Sequence, residues 1–172
     1  MMTDFREYIR DVPDFPTKGI LFRDVTPLLA SADAFAAAAM AMAEPFRDAK
    51  PDKILGIEAR GFLFGTAIAR DLHIGIVPAR KPGKLPRATE SVAYGLEYGQ
   101  DRLEVHADAF GRGERVLVVD DVLATGGTAK AAAELAEKLG AQVVGISVFI
   151  ELGALGGRSK LGARPAHAVL ML

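Results

Sequence analysis

The chain has 172 residues, half of them hydrophobic and a quarter charged, which is material for one globular core of ordinary composition. A formal net charge of −1 excludes the electrostatic footprint of a nucleic-acid or anionic-membrane binder, and zero cysteines exclude disulfides and thiolate chemistry. No apolar run reaches the roughly 20 residues of a membrane span, and Met1-Met2-Thr3-Asp4-Phe5-Arg6 lacks the basic start and apolar core of a signal peptide, so the expected location is cytoplasmic.

Phe5, Tyr8, Ile9 and Val12 fall at helical spacing and predict a short helix over residues 1–12. Pro13 and Pro16 force an extended turn ending at Gly19, followed by a short strand, Ile20-Leu21-Phe22, and then Arg23-Asp24. Residues 33–46 are rich in Ala and Met and read as a helix capped by Ser31 or Asp33, with Pro51-Asp52 marking its end. Next come a strand over 53–57, a loop over 58–61, a helix over 62–71 and a strand over 74–79, the spacing of a βαβ unit. Its loop puts Arg60 between a strand's carboxyl end and a helix N-terminus. An exposed arginine is ordinarily just solvated, but this position favours contact with a diphosphate, whose oxygens match the guanidinium fork.

Arg80-Lys81-Pro82-Gly83-Lys84 closes the second strand with three cations and a breaker. A basic run is most often a solvated face. Here it opens a segment over 83–91 with little apolar content, the character of a mobile lid carrying Lys84 and Arg87 over a diphosphate. Residues 91–98 and 102–106 alternate in polarity around Gly99-Gln100-Asp101 and read as a hairpin, with Tyr94, Leu96 and Tyr98 on one face and Glu97 on the other. Taken alone, Glu97 is a surface carboxylate and Tyr98 an edge-strand packing residue.

Val116-Leu117-Val118-Val119 is dense enough in β-branched residues for a strand buried on both faces. Asp120 and Asp121 follow where that strand should end, and then a small-residue loop, Ala124-Thr125-Gly126-Gly127-Thr128, leads into a helix over 128–139 with Glu134 and Lys138 paired on its outer face. The two glycines let the backbone approach an anion closely, the threonines add hydroxyl donors, and the helix N-terminus adds partial positive charge. Ionised carboxylates only accept hydrogen bonds, so Asp120 and Asp121 suit sugar hydroxyls rather than phosphate. Acceptors beside an anion cradle describe a site for a ribose 5-phosphate. A Gly-Gly turn or an acidic pair by itself is commonly structural; the order of the pieces is what carries the reading. No Lys follows the glycines and no Gly-x-Gly-x-x-Gly is present, so this is neither a Walker A loop nor a dinucleotide fingerprint. A strand over 143–150 follows, then a Gly-rich stretch from Glu151-Leu152-Gly153, and Ala168-Val169-Leu170 reads as a last strand. His73, His106 and His167 are scattered without metal-ligand spacing and read as surface or loop residues.

The strand, acidic pair and Ala-Thr-Gly-Gly-Thr loop resemble the phosphoribosyl-diphosphate motif of the type I phosphoribosyltransferases. Further matches fall in family order: Gly19 to Leu29 (Gly-Ile-Leu-Phe-Arg-Asp-Val-Thr-Pro-Leu-Leu), Glu58-Ala59-Arg60-Gly61-Phe62-Leu63-Phe64-Gly65, Arg80-Lys81-Pro82-Gly83-Lys84-Leu85-Pro86 and Leu96-Glu97-Tyr98-Gly99. These are similar to the adenine-specific members, over about residues 5–158, with a weak match after Arg158.

The resemblance implies an α/β fold: a central, mostly parallel sheet flanked by helices, in a single domain over 1–172 with an N-terminal hood and base-binding segment (1–35) and a flexible lid and hairpin (82–107). It implies Mg²⁺-dependent transfer of a 5-phosphoribosyl group from 5-phospho-α-D-ribose 1-diphosphate (PRPP) to adenine, giving AMP and diphosphate. Asp120 and Asp121 would bind ribose hydroxyls and Ala124, Thr125, Gly126, Gly127 and Thr128 the 5-phosphate. Arg60, Arg80, Lys81 and Lys84, with Tyr98 beside them, would hold the diphosphate, and Mg²⁺ would be held mainly by substrate and water. Adenine would lie between Phe22 and Leu152, its edge read by backbone groups of Leu21 and Arg23, and Glu97 would manage a proton on its imidazole side. The resemblance further implies a strained or cis peptide within 58–61 and a homodimer in which Arg80 reaches the neighbouring subunit's site. Two other readings stay open: a phosphoribosyltransferase for a 6-oxopurine, and a non-catalytic purine- or PRPP-sensing regulator on the same fold, which would call for an appended DNA-binding segment or a basic surface.

Overall fold

A computed structural model describes residues 3–95 and 100–172. Strand β1 (Arg10–Pro13) pairs antiparallel with β2 (Leu21–Asp24), and two helices follow, α1 (Thr26–Leu29) and α2 (Ala32–Ala43). Then come β3 (Lys53–Ile57), α3 (Arg60–Leu72), β4 (Gly75–Ala79), β5 (Thr89–Gly95), β6 (Gln100–His106), β7 (Arg115–Leu123), α4 (Gly127–Lys138), β8 (Gln142–Glu151) and β9 (Ala166–Met171). The core is a five-stranded parallel sheet in the order β4-β3-β7-β8-β9, with β5 and β6 as a separate antiparallel hairpin.

The apolar run of β7 accounts for the layering. Val116, Leu117, Val118 and Val119 are all fully buried. Because strand side chains alternate in direction, Val116 and Val118 join the cluster containing α4, while Leu117 and Val119 join the one containing α2 and α3. Each face of the sheet is thus covered, and small alanines (131, 132, 133 and 136 on α4; 38, 39 and 43 on α2) let the helices approach closely.

The chain runs from β3 through α3 outward to β4, and from β7 through α4 outward in the opposite direction to β8. Between β3 and β7 the winding reverses, so their two carboxyl-end loops part and leave a crevice. In open α/β sheets this is where ligands bind.

Several elements differ from the sequence-based expectation. The N-terminal helix is a single 3-10 turn, Phe5–Tyr8, because residues 10–13 instead find non-local partners in β2, whereas a helix of about 12 residues is marginal by itself. Helix α1 went unforeseen; Pro27 sits in its first turn, and Asp24 accepts hydrogen bonds from both the Thr26 N–H (2.9 Å) and hydroxyl (2.8 Å). Ser31 caps α2, as expected. Strand β7 does not end before the acidic pair: it continues to Leu123, paired to β8 through Val122↔Ile150 and Leu123↔Glu151, so Asp120 and Asp121 are strand residues. Gln100 and Asp101, expected in a turn, belong to β6, and Thr89 and Glu90 belong to β5, where cross-strand pairing to His106 and Val105 shortens the loop. Lys138 pairs with Glu90 (2.9 Å) rather than Glu134, which takes Lys130 (3.6 Å), because the hairpin lies alongside α4. Glu97 and Tyr98 lie outside the described residues.

Candidate active site

The crevice between β3 and β7 is a cleft of about 300 Å³. Of the residues singled out from the sequence, it brings together Arg23, Arg60, Lys81, Asp120, Asp121, Ala124, Thr128 and Leu152. A smaller adjoining hollow of about 70 Å³ is bounded by Asp120, Ala124, Thr125, Gly126 and Thr128. Helix α4 begins at Gly127, so its unpaired N-terminal N–H groups face this hollow, whose floor is the loop between β7 and α4.

The loop is held open by glycine. Gly126 has φ = +87°, and a Cβ on it would lie 2.3 Å from the Gly157 carbonyl oxygen; a Cβ on Gly157 would lie 2.4 Å from the Ala124 carbonyl oxygen. The loop and the C-terminal segment therefore touch main chain to main chain. Nothing in the Gly-rich stretch after Leu152 signalled that role for Gly157.

On the β3 side, the Glu58–Ala59 peptide is cis, within the segment where an unusual peptide was expected. Arg60 follows, and its Nε donates to the carboxylate of Asp121, which is only 4% exposed. The guanidinium also lies over the Phe22 ring, 5.2 Å from its centroid, tying the β1/β2 unit to the cleft. Asp120 is partly buried beside Asp121 and accepts the Asp121 N–H at 2.8 Å. Burial first, and then the neighbouring Asp121 charge, push the Asp120 carboxyl well above its ordinary 3.8.

That shift has a stability consequence. Asp120 holds its proton more tightly folded than unfolded, so the free protein loses stability as pH rises past the ordinary carboxylate range, until Asp120 has ionised in the fold. Asp120→Asn keeps the acceptor for the Asp121 N–H and removes the like charge. At pH 8 it should raise Tm above wild type, and by more than it does at pH 5. Thermal unfolding at pH 5 and pH 8 checks this; a Tm below wild type at pH 8 would refute it.

Other residues sit at the cleft without having been singled out for it. Glu58 accepts the Lys81 N–H (2.7 Å) and an Arg80 Nη2–H (2.9 Å); the first of these bonds, more than the second, lowers its pKa. Tyr94, whose face of the hairpin was legible, lines the cleft and donates from its hydroxyl to Asp101 (3.0 Å), and burial raises its pKa. Asp101 also takes the Lys81 ammonium (3.0 Å) and holds its pKa up. Arg80 does not line the cleft: it folds against Glu58 and the Phe62 ring. Lys84 is exposed and not part of the cleft lining, and Arg87 pairs with Asp108 (2.7 Å). Leu21 is 44% exposed and outside the lining, while Arg23 pairs with Asp11.

The family model for the phosphoribosyl transferase domain matches residues 24–165. An adenine phosphoribosyltransferase of Rhodopirellula baltica is 53% identical over 97% of this chain and 81% of its own length. One from Pseudothermotoga lettingae is 55% identical over 92% of this chain and 93% of its own. The chain belongs to the adenine phosphoribosyltransferase family. Solved adenine phosphoribosyltransferases superpose accordingly. That of Thermoanaerobacter pseudethanolicus has a TM-score of 0.95 at 48% identity, covering 98% of both chains. That of Saccharomyces cerevisiae, complexed with an imino-altritol bisphosphate and adenine, has 0.91 at 40% identity, covering 97% of both chains. The type I phosphoribosyltransferase fold expected from the motifs is the fold present.

Proposed function

We infer that this protein is an adenine phosphoribosyltransferase, which joins adenine N9 to C1 of the PRPP ribose and releases diphosphate, giving AMP. The observation that carries this is the cleft at the winding reversal: one acidic pair, one anion cradle at a helix N-terminus and Arg60 converge there.

The reaction builds positive charge on the ribose and negative charge on the leaving diphosphate, so it asks for positioning and charge stabilisation rather than a protein nucleophile. Thr125, Gly126, Gly127 and Thr128, with Ala124, bind the 5-phosphate, and Asp120 and Asp121 accept from the ribose hydroxyls. Arg60 and Lys81 stabilise the diphosphate, joined by Lys84 and Tyr98 and, across the dimer, by the partner subunit's Arg80. Asp120 and Asp121, whose hard carboxylate oxygens lie on the cleft wall, would help hold a Mg²⁺ that arrives with the substrate, and when bound it would supply charge neutralisation for the leaving group. Phe22 and Leu152 enclose the adenine ring, the Leu21 carbonyl accepts from its exocyclic amine, and the Arg23 N–H donates to a ring nitrogen. A 6-oxopurine would set acceptor against acceptor there, a mismatch with large selectivity. The β1/β2 unit acts as the hood and the β5/β6 hairpin as a lid that keeps water from the ribosyl cation. The working unit is a homodimer in a reducing cytoplasm, with Arg80 reaching the neighbour's site. Among the described residues no helix is long and apolar enough to cross a membrane.

The test is Mg²⁺-dependent diphosphate release from PRPP with adenine, hypoxanthine, guanine and xanthine offered separately. Adenine alone should support turnover. Activity only with a 6-oxopurine would change the substrate, and activity with none would point to a ligand sensor. Glu97 acts as the proton-handling group at the base: Glu97→Gln should lower kcat by about 10²-fold, leaving both KM values within about threefold. Wild-type turnover in that variant would remove the role.

A further inference from the structure

We propose that Arg158 is a positioning residue for the sugar-phosphate half of the site, acting as the brace that presses Gly157 against the phosphate loop. The inference rests on the reading of that loop as the 5-phosphate cradle. Arg158 opens from a 3-10 turn, Gly157–Leu161, that lies between β8 and β9. Its Nε donates to both carboxylate oxygens of Glu151 (3.1 Å each), and Nη1 donates to the Ala166 carbonyl (2.6 Å). Glu151 is the last residue of β8 and only 5% exposed, so the arginine grips a fixed, buried anchor. One residue back, buried Gly157 abuts the carbonyl of Ala124 and the main chain of Thr125 and Gly126, closely enough that no Cβ fits on either glycine.

The wall at Leu152 is held differently. Leu152 N–H donates to Leu123 O (2.9 Å), and the Glu151 carbonyl accepts from Leu172 N–H (2.9 Å), so the base side is fixed by the sheet ladder itself. Among the described residues, the main-chain bonds of the 157–161 turn run only to its own neighbours, Ser159 N–H to Gly156 O and Arg164 N–H to Leu161 O. The turn is therefore tied to the sheet by side chains, Arg158 beside the loop and buried Leu161 at the far end. Removing Arg158 frees the backing of the phosphate loop and leaves the base wall in place.

The experiment is steady-state kinetics on the full chain with Arg158→Ala. KM for PRPP and the AMP inhibition constant should each rise about tenfold or more, the scale set by a displaced positioning contact, with KM for adenine within about twofold. A merely smaller folded fraction would lower kcat and leave both KM values unmoved. Arg158→Lys, which keeps the cation and loses the fork, should show a smaller PRPP-specific rise and serves if the alanine variant does not fold. An equal rise in both KM values, or no rise, overturns the proposal. Failure of the functional reading would show on the wild type as no transfer to adenine; AMP affinity by calorimetry then tests the brace without turnover, and an unchanged affinity in the variant overturns it.

Discussion

Gly126→Ala should lower kcat/KM for PRPP by at least about 10²-fold, because it deforms the loop proposed to hold the sugar phosphate. At φ = +87° the residue occupies the left-handed region, where a side chain costs about 1–3 kcal/mol. The new methyl would also meet the Gly157 carbonyl oxygen at 2.3 Å, and that atom belongs to main chain rather than to a flexible side-chain tip. Either the loop or the 157–161 turn must move. The loss should appear equally in AMP inhibition, since PRPP and AMP share the 5-phosphate. The strain should also lower Tm, at roughly 2–4 °C per kcal/mol for a chain of this length. Kinetics with PRPP, AMP inhibition and thermal unfolding check the three parts. Near-wild-type AMP inhibition in a variant crippled for PRPP would contradict the assignment of the loop to the 5-phosphate.

Arg60→Ala should have a comparable effect on rate with a different signature. Loss of a charged group at a leaving diphosphate costs about 10²–10³ in kcat/KM, and AMP, which carries no diphosphate, should still inhibit within about threefold. Stability should fall as well, because the Asp121 carboxylate, 4% exposed, loses the guanidinium that neutralises it. Breaking a fully buried pair costs about 3–5 kcal/mol. Arg60 is 46% exposed on its side chain, so solvent already screens the pair and about 1–2 kcal/mol is the expected loss. The double variant Arg60→Ala, Asp121→Asn removes the orphaned charge. It should recover most of the Tm without recovering activity. If activity returned with stability, Arg60 would be structural only.

The pairing of Arg60 with Asp121 also says what substrate must do on arrival. On the roles proposed for them, the two groups serve different parts of PRPP, and in the free protein each occupies the other. On that reading a diphosphate competing for Arg60 would release Asp121 toward the ribose hydroxyls, so that the two halves of the substrate engage together.

The buried strand, the glycine loop and the helix after it were legible in the residues alone. A β-branched run buried on both faces, two carboxylates and a Thr-Gly-Gly-Thr loop before an alanine helix could be read in order, and the sugar-phosphate proposal rests on them, because each piece is set by neighbours within a dozen positions. Strand β3 and the Ser31 cap followed from periodicity and from a side chain bonding three residues away. What sequence could not decide were partnerships between distant segments. Whether residues 10–13 form a helix or a strand depends on residues 21–24 being there to pair. The length of β7 depends on β8 offering partners as far as Glu151. Lys138 finds Glu90 across the hairpin instead of Glu134 one turn away. The approach of Gly157 to Gly126, and the grip of Arg158 on Glu151 that backs it, join the phosphate loop to a tail whose own residues carry no motif. Hydrogen bonds and packing within one turn of helix or one strand are encoded by spacing, whereas contacts between separate elements exist only once the chain has folded back on itself and the sheet has wound in its particular order, bringing the carboxyl ends of β3, β7 and β8 to a single edge.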